Sequence, residues 1–205
     1  MNHFDSLRIV RRSLRLVLYI TAPIIFAANL VSLTGCAGLV VGGTVTGAGI
    51  ANDRRTTGTF IEDQAIELKA AKALYEHKEL RKQTHINVTS YNTVALVSGE
   101  APTDEQRNQV IDIVRNVEKV RHVFDEVEIA GPSSLMARSS DSLVTAKVKI
   151  RVLSIKNFDG TRVKVVTEGG VVFLMGLLSA EEADNVANVA RKVGGVQKVV
   201  KLFEQ

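Results

Sequence analysis

From residue 86 onward, apolar positions fall in short runs of the length and residue type expected of β-strands. Ile86-Asn87-Val88-Thr89 and Val94-Ala95-Leu96-Val97-Ser98-Gly99 flank Tyr91-Asn92-Thr93, a strand, tight turn, strand pattern. The pattern returns 77 residues later, with Val163-Lys164-Val165-Val166 and Val171-Val172-Phe173-Leu174-Met175-Gly176 around Glu168-Gly169-Gly170. Each hairpin is followed by a capping-box sequence, Thr103-Asp104-Glu105-Gln106 or Ser179-Ala180-Glu181-Glu182, in which hydroxyl and N3 side chain satisfy orphan backbone N–H groups. An apolar stripe at helical spacing comes next: Val110, Ile113, Val114 and Val117 in one copy, Val186, Val189, Ala190 and Val193 in the other. A last strand closes each copy, Val120 to Val127 and Val196 to Phe203. Gly99 and Gly176 sit just before the helix starts, where glycine permits close backbone approach or a positive φ.

A candidate helix precedes each hairpin. In the first copy Ile61, Ala65, Leu68 and Tyr75 recur at helical spacing. In the second, Val144, Val148, Val152 and Ile155 form one stripe, and Leu143, Ala146, Ile150 and Leu153 another, nearly opposite. Thr145 to Val152 also alternates strictly, which is a strand signal; the repeat favours helix. The expected fold class is α+β, two tandem αββαβ sandwiches in which two helices cover one apolar face of each sheet. The domains are assigned to 59–130 and 139–205, with 131–138 as linker around Gly131-Pro132-Ser133-Ser134.

The N-terminus has a different character. Arg8, Arg11, Arg12 and Arg15 precede an almost wholly apolar run from Leu16 to Leu33, then Thr34-Gly35-Cys36, the only cysteine. This resembles a bacterial lipoprotein signal, with 1–35 removed and Cys36 becoming the lipid-attached first residue. About 18 apolar residues can just span a bilayer, so an uncleaved anchor is the alternative, although Pro23 and Asn29 weaken it. An ordinary secretory signal leaves Cys36 unexplained. Ala37 takes the place where, in such lipoproteins, aspartate favours inner-membrane retention; the resemblance therefore implies the outer membrane, facing the periplasm. Residues 36–58 are rich in glycine and read as a flexible tether, with a reach of about 25 Å for a coil of this length. A phosphate-binding loop would need a lysine–hydroxyl ending, which this stretch lacks.

Charge then separates function classes. The whole chain carries +4; without the four arginines and Asp5 of the signal the balance is +1, which gives no ground for a nucleic-acid partner. Residues 59–130 hold nine Lys/Arg and thirteen Asp/Glu, whereas 139–205 hold ten and seven. In the second leading helix Asp141 stands against Lys147, Lys149, Arg151 and Lys156. An apolar stripe flanked by cations suits the headgroup region of an anionic bilayer, and the candidate phospholipid-binding residues are Leu143, Lys147, Ile150, Arg151 and Leu153. The competing expectation is that this stripe packs against the acidic first domain. His77, His85 and His122 lack metal-ligand spacing, and no nucleophile-elbow pattern occurs. The expectation is therefore no catalytic site, no metal, no cofactor and no small-molecule substrate.

With the repeat in view, the chain resembles the BON-domain family, named for bacterial osmotically inducible and nodulation proteins. The resemblance rests on the endings Ala95–Gly99 and Val172–Gly176, and on Val117-Val120-Val123 and Val193-Val196-Val199. Asp53 to Thr59 and Glu62-Asp63 resemble the segment entering the first domain of dual-BON outer-membrane lipoproteins. The resemblance implies an αββαβ fold, no enzymatic activity, binding of phospholipid at envelope membranes and a part in outer-membrane integrity. The rival expectation is a lipid-anchored adaptor whose domains bind a protein, such as an outer-membrane assembly or division factor.

Overall fold

A computed structural model describes residues 55–205; the signal, Cys36 and the tether up to residue 54 lie outside them. The first repeat comprises α1 (Thr57–Glu76), a short α2 (Lys78–Gln83), β1 (His85–Tyr91), β2 (Val94–Ala101), α3 (Asp104–Arg115) and β3 (His122–Ile129). The second comprises α4 (Leu135–Leu153), a 3-10 turn at Gly160–Arg162, β4 (Lys164–Glu168), β5 (Val171–Leu177), α5 (Ala180–Arg191) and β6 (Lys198–Glu204). Each sheet has its middle strand paired antiparallel to the hairpin partner and parallel to the last strand, in the orders β1-β2-β3 and β4-β5-β6. The αββαβ repeat is present twice, as expected. Among the described residues no helix is long and apolar enough to cross a membrane.

The middle strands differ from the expected one-sided pattern. Every residue of β2 is buried, because both sheet faces are covered. Ala95, Val97 and Ala101 join Ile66, Ala70, Val110 and Val114 beneath the helices. In the second repeat Val172 and Leu174 meet Val144, Val148, Val152 and Val186 in the same way. The opposite faces do not meet water. Tyr91, Val94 and Leu96 of the first repeat and Phe173, Met175 and Leu202 of the second form one buried cluster, with Phe124, Val166 and Val200 packed against it. The two sandwiches expected to be separate therefore share a third core, sheet against sheet. Polar contacts border it: Tyr91 Oη donates to the Arg162 carbonyl at 3.1 Å, Lys164 Nζ to Glu67 Oε1 at 2.6 Å, and Arg121 Nη2 to Glu204 Oε1 at 2.6 Å.

The helix expected before the first hairpin is present as α1, and the apolar row read from its spacing is not its buried face. Ile61, Leu68 and Tyr75 are 59%, 73% and 66% exposed, while Asp63, Ile66 and Ala70 are buried. The buried face was hidden because it carries a carboxylate. Asp63 Oδ1 accepts from Ser90 Oγ (2.7 Å) and Thr93 N (2.8 Å), and Oδ2 from Asn92 N (2.9 Å) and Arg55 Nη1 (2.7 Å). The hairpin turn it clamps has positive φ at Asn92 and Thr93, which is costly for a β-branched residue. Asp141 repeats the device, accepting from Gly169 N (3.1 Å) and Gly170 N (2.9 Å).

Local hydrogen bonding sets the ends of the helices. Ser134 caps α4 by accepting from Ala137 N at 3.2 Å, so the helix begins at Leu135 and takes up the second half of the expected linker. The Ser179–Glu182 capping box is complete. The first copy is half formed, because Thr103 accepts from Gln106 N while the Gln106 amide donates to Gln83 Oε1 instead. Gly99 has φ +120°, and a Cβ there would collide with the His85 carbonyl oxygen; at Gly176 it would lie 2.9 Å from the Arg162 carbonyl.

Both clashes are with backbone of the neighbouring strand or its lead-in. Gly99→Ala, with an adverse φ as well, is expected to lower stability by about 2 kcal/mol or more in chemical denaturation, and more than Gly176→Ala. Asp63→Ala removes the acceptor of two partly buried backbone donors and of the buried Ser90 hydroxyl, together with the Arg55 ion pair, and is expected to cost about 3 kcal/mol or more. Equal, small losses for Asp63→Ala and Asp63→Asn would show that the turn does not need the clamp.

Candidate functional site

The predicted site residues all lie on α4, and the structure divides that helix into two faces. Val144, Val148 and Val152 are buried beneath β4 and β5, with Asp141 committed to the hairpin turn. On the other side Leu143, Ile150 and Leu153 are 63%, 63% and 55% exposed. Lys147, Lys149 and Arg151 are also exposed. At 100° per residue, Leu143, Ile150, Ala146 and Leu153 span an arc of about 80°, bordered on one side by Lys147 and Arg151 and on the other by Lys149. Among the described residues none of these three cations enters an ion pair, whereas Lys164 and Lys201 do. The strand alternative for 145–152 is excluded by the helix. Packing of the second stripe against the first domain is excluded by its exposure. The first domain meets the second through the sheets.

Two residues escaped the sequence reading. Leu135 and Met136 are 79% and 83% exposed at the start of α4; Met136 falls in line with Leu143 and Ile150 at seven-residue spacing. They fall within 131–138, the segment whose Gly131-Pro132-Ser133-Ser134 reads as linker. The available signal was Ser134, a good N-cap, four residues before Arg138. With them apolar side chains stand on this face at both ends of the 19-residue helix, about 28 Å long at 1.5 Å per residue, with Ser139 between them.

A second group of functional side chains gathers at the seam between the sheets. His85 at the start of β1, Glu100 near the end of β2 and Glu168 at the end of β4 come together. His85 Nε2 lies 3.6 Å from Glu168 Oε1, and Asn87 Nδ2 donates to Glu168 Oε2 at 2.8 Å. Glu100 Oε2 accepts from Ser133 N at 3.2 Å. Burial, opposed by the Asn87 hydrogen bond and assisted by the nearby Glu100 and Asp141 carboxylates, raises the Glu168 pKa above its ordinary 4.5. Burial and then Arg138 lower that of His85 below 6.5, against the pull of Glu100. An open cleft of about 160 Å³ runs beside them, lined by Glu100, Arg107, Asp125 and Glu168 among others. Spacing could not reveal this group, because its members come from three strands of two sheets.

What the described residues present is thus a pair of α+β repeats with an exposed, cation-bordered helix. The chain belongs to the BON-domain family, whose BON domain matches residues 62–131 and 140–205. It is 34% identical over 172 residues to the outer membrane lipoprotein DolP of Haemophilus influenzae, covering 84% of this chain and 89% of that protein. It is 35% identical to the 21 kDa hemolysin of Actinobacillus pleuropneumoniae, over 74% of this chain and 78% of the relative. Osmotically-inducible protein Y of Escherichia coli is 30% identical, over 69% and 72% of the respective chains.

The shifts at the seam have opposite signs. A raised Glu168 pKa contributes stability that is present below 4.5 and is lost as pH rises through the folded-state value. The lowered His85 contributes stability present above 6.5 and lost as pH falls through its folded-state value. With EDTA present, Glu168→Gln is expected to raise the melting temperature at pH 7–8, with the gain vanishing below pH 4.5. A gain that is the same at every pH would exclude titration as its origin.

Proposed function

We propose that this protein is an outer-membrane lipoprotein, anchored through Cys36 and facing the periplasm, that binds anionic phospholipid through α4 of its second BON domain and supports envelope integrity. The observation that carries this is the exposed α4 face, a row of aliphatic side chains bordered by unpaired cations. Lysine and arginine stems lie along the apolar surface while their charged ends reach phosphates. Each basic residue near an anionic surface is worth about 1 kcal/mol, and Lys147, Lys149 and Arg151 supply three. The aliphatic row adds burial at the acyl boundary, at about 25 cal/mol per Å². Each contribution alone is weak, so the tether matters: it holds the helix at high local concentration near a membrane. The similarity to an outer membrane lipoprotein supports the location, and Cys36 supports the anchor. The role is one of binding and needs no catalytic group.

A second reading has its own observation. Ile61, Leu68 and Tyr75 expose an apolar row on α1, with the Arg81 guanidinium over the Tyr75 ring at 4.1 Å. In that reading the lipid only anchors, and the first domain engages a protein of outer-membrane assembly or division.

Flotation with vesicles containing anionic or only zwitterionic phospholipid separates the two. The chain with Cys36→Ser and no signal is expected to float with anionic vesicles alone and to release as salt is raised. Ile150→Glu with Leu153→Glu is expected to weaken binding at least tenfold with an unchanged melting temperature, since both side chains are more than half exposed. Undiminished binding by that double variant, or equal binding to zwitterionic vesicles, would reject the assignment.

A further inference from the structure

The seam cluster has the chemistry of a cation site that the membrane role does not use. One ligand atom from each of His85, Glu100 and Glu168 lies within 4.8 Å of the other two. The His85 Nε2 to Glu168 Oε1 distance of 3.6 Å is close to the separation of about 3.3 Å between neighbouring ligands on a tetrahedral zinc ion with bonds near 2.05 Å. Glu100 is 7% exposed, and only its Oε2 accepts a hydrogen bond, from Ser133 N. Its other oxygen has no hydrogen-bond donor among the described residues. A carboxylate so placed beside a second, half-desolvated carboxylate is unfavourable unless a proton or a cation lies between them. Arg138 and Asp141 act on the cluster most closely, and Arg107, Asp125, Glu126, Glu128 and Lys198 line the cleft beside it. Arg138 Nε is engaged with Ser133 Oγ at 3.2 Å, and both Asp141 oxygens with the hairpin turn.

We infer that His85, Glu100 and Glu168 bind a single Zn²⁺ that staples the two BON domains together across the seam. The donor set chooses the ion. One imidazole and two carboxylates suit zinc, whereas calcium and magnesium prefer an all-oxygen shell. Three protein ligands leave a fourth position for water, which the cleft beside Glu100 and Glu168 can admit. The rigid backbone supports the arrangement: His85 and Glu100 are directly paired across the β1–β2 ladder. Glu168 comes from the other sheet, so the ion would join residues of both repeats and act on their mutual position.

The test is calorimetric titration of metal-stripped full chain, in detergent micelles at pH 7.5, with Zn²⁺. One saturable site per chain is expected, together with a Zn²⁺-dependent rise in melting temperature. His85→Ala and the near-isosteric Glu168→Gln are each expected to weaken binding at least tenfold, after circular dichroism confirms that both remain folded. His122→Ala, on the exposed part of β3, should change nothing, and Ca²⁺ should not saturate the site. Absence of saturable binding overturns the inference. Binding that survives unchanged in both His85→Ala and Glu168→Gln overturns it too, since the ion would then sit on Cys36 or an exposed histidine. Equal affinity for Ca²⁺ would overturn the choice of metal.

Discussion

A three-stranded sheet whose middle strand is apolar on both sides has two faces to hide, and two helices can hide only one. In this protein both repeats meet that constraint at β2 and β5, and each resolves it with the other. The faces left by the helices close on one another through Tyr91, Val94 and Leu96 against Phe173, Met175 and Leu202. Everything else about the arrangement follows from that closure. The sheets turn inward, so the helices turn outward, and the second stripe of α4 has nothing of the first domain to cover it. The same closure brings the strand ends of two repeats together at a seam, where His85 and Glu100 meet Glu168.

The shared core also explains why polar residues collect around its edge. Backbone and side-chain groups at the border are neither fully wet nor buried in hydrocarbon, and they pair across the repeats: Lys164 with Glu67, Arg121 with Glu204, Asn92 with Glu204. An apolar centre with a polar rim is the usual anatomy of an interface between partners. Here it lies within one chain, and ion pairs cross it in both directions: Arg121 of the acidic repeat meets Glu204 of the cationic one. Lys164 of the cationic repeat meets Glu67 of the acidic one. The cations of α4 are not drawn into it, because they point away from the seam. They therefore keep their charge available to an external anionic surface.

Repetition has not made the copies equivalent. Both hairpin turns are clamped by a buried aspartate from the preceding helix, but the first turn places Asn92 and Thr93 at positive φ while the second uses Gly169 and Gly170. The first clamp correspondingly takes four hydrogen bonds, including one from Arg55, and the second is shown with two. The leading helices diverge in the same manner. The exposed row of α1 has balanced charge around it, whereas that of α4 is bordered by lysine and arginine. One scaffold thus carries two different outer faces.

The sequence alone determined the αββαβ order of each repeat, because hairpin turns, capping residues and helical stripes are local and occur twice, each copy checking the other; the short α2 and the 3-10 turn at Gly160–Arg162 it did not mark. It also marked α4 as having two apolar stripes, since a helical wheel needs nothing beyond residue spacing. It did not show which face of α1 is buried, because that face holds Asp63 and looks polar, and Ser134, although a good N-cap residue, lies beside Gly131 and Pro132, which read as linker. The tertiary structure alone decided which of two stripes is buried, what covers the second face of each sheet and which distant residues meet. His85, Glu100 and Glu168 are separated by 15 and 68 positions in the chain, and no periodicity links them. Local pattern reports what a segment can bury; only the packing of one repeat on the other reports what it does bury.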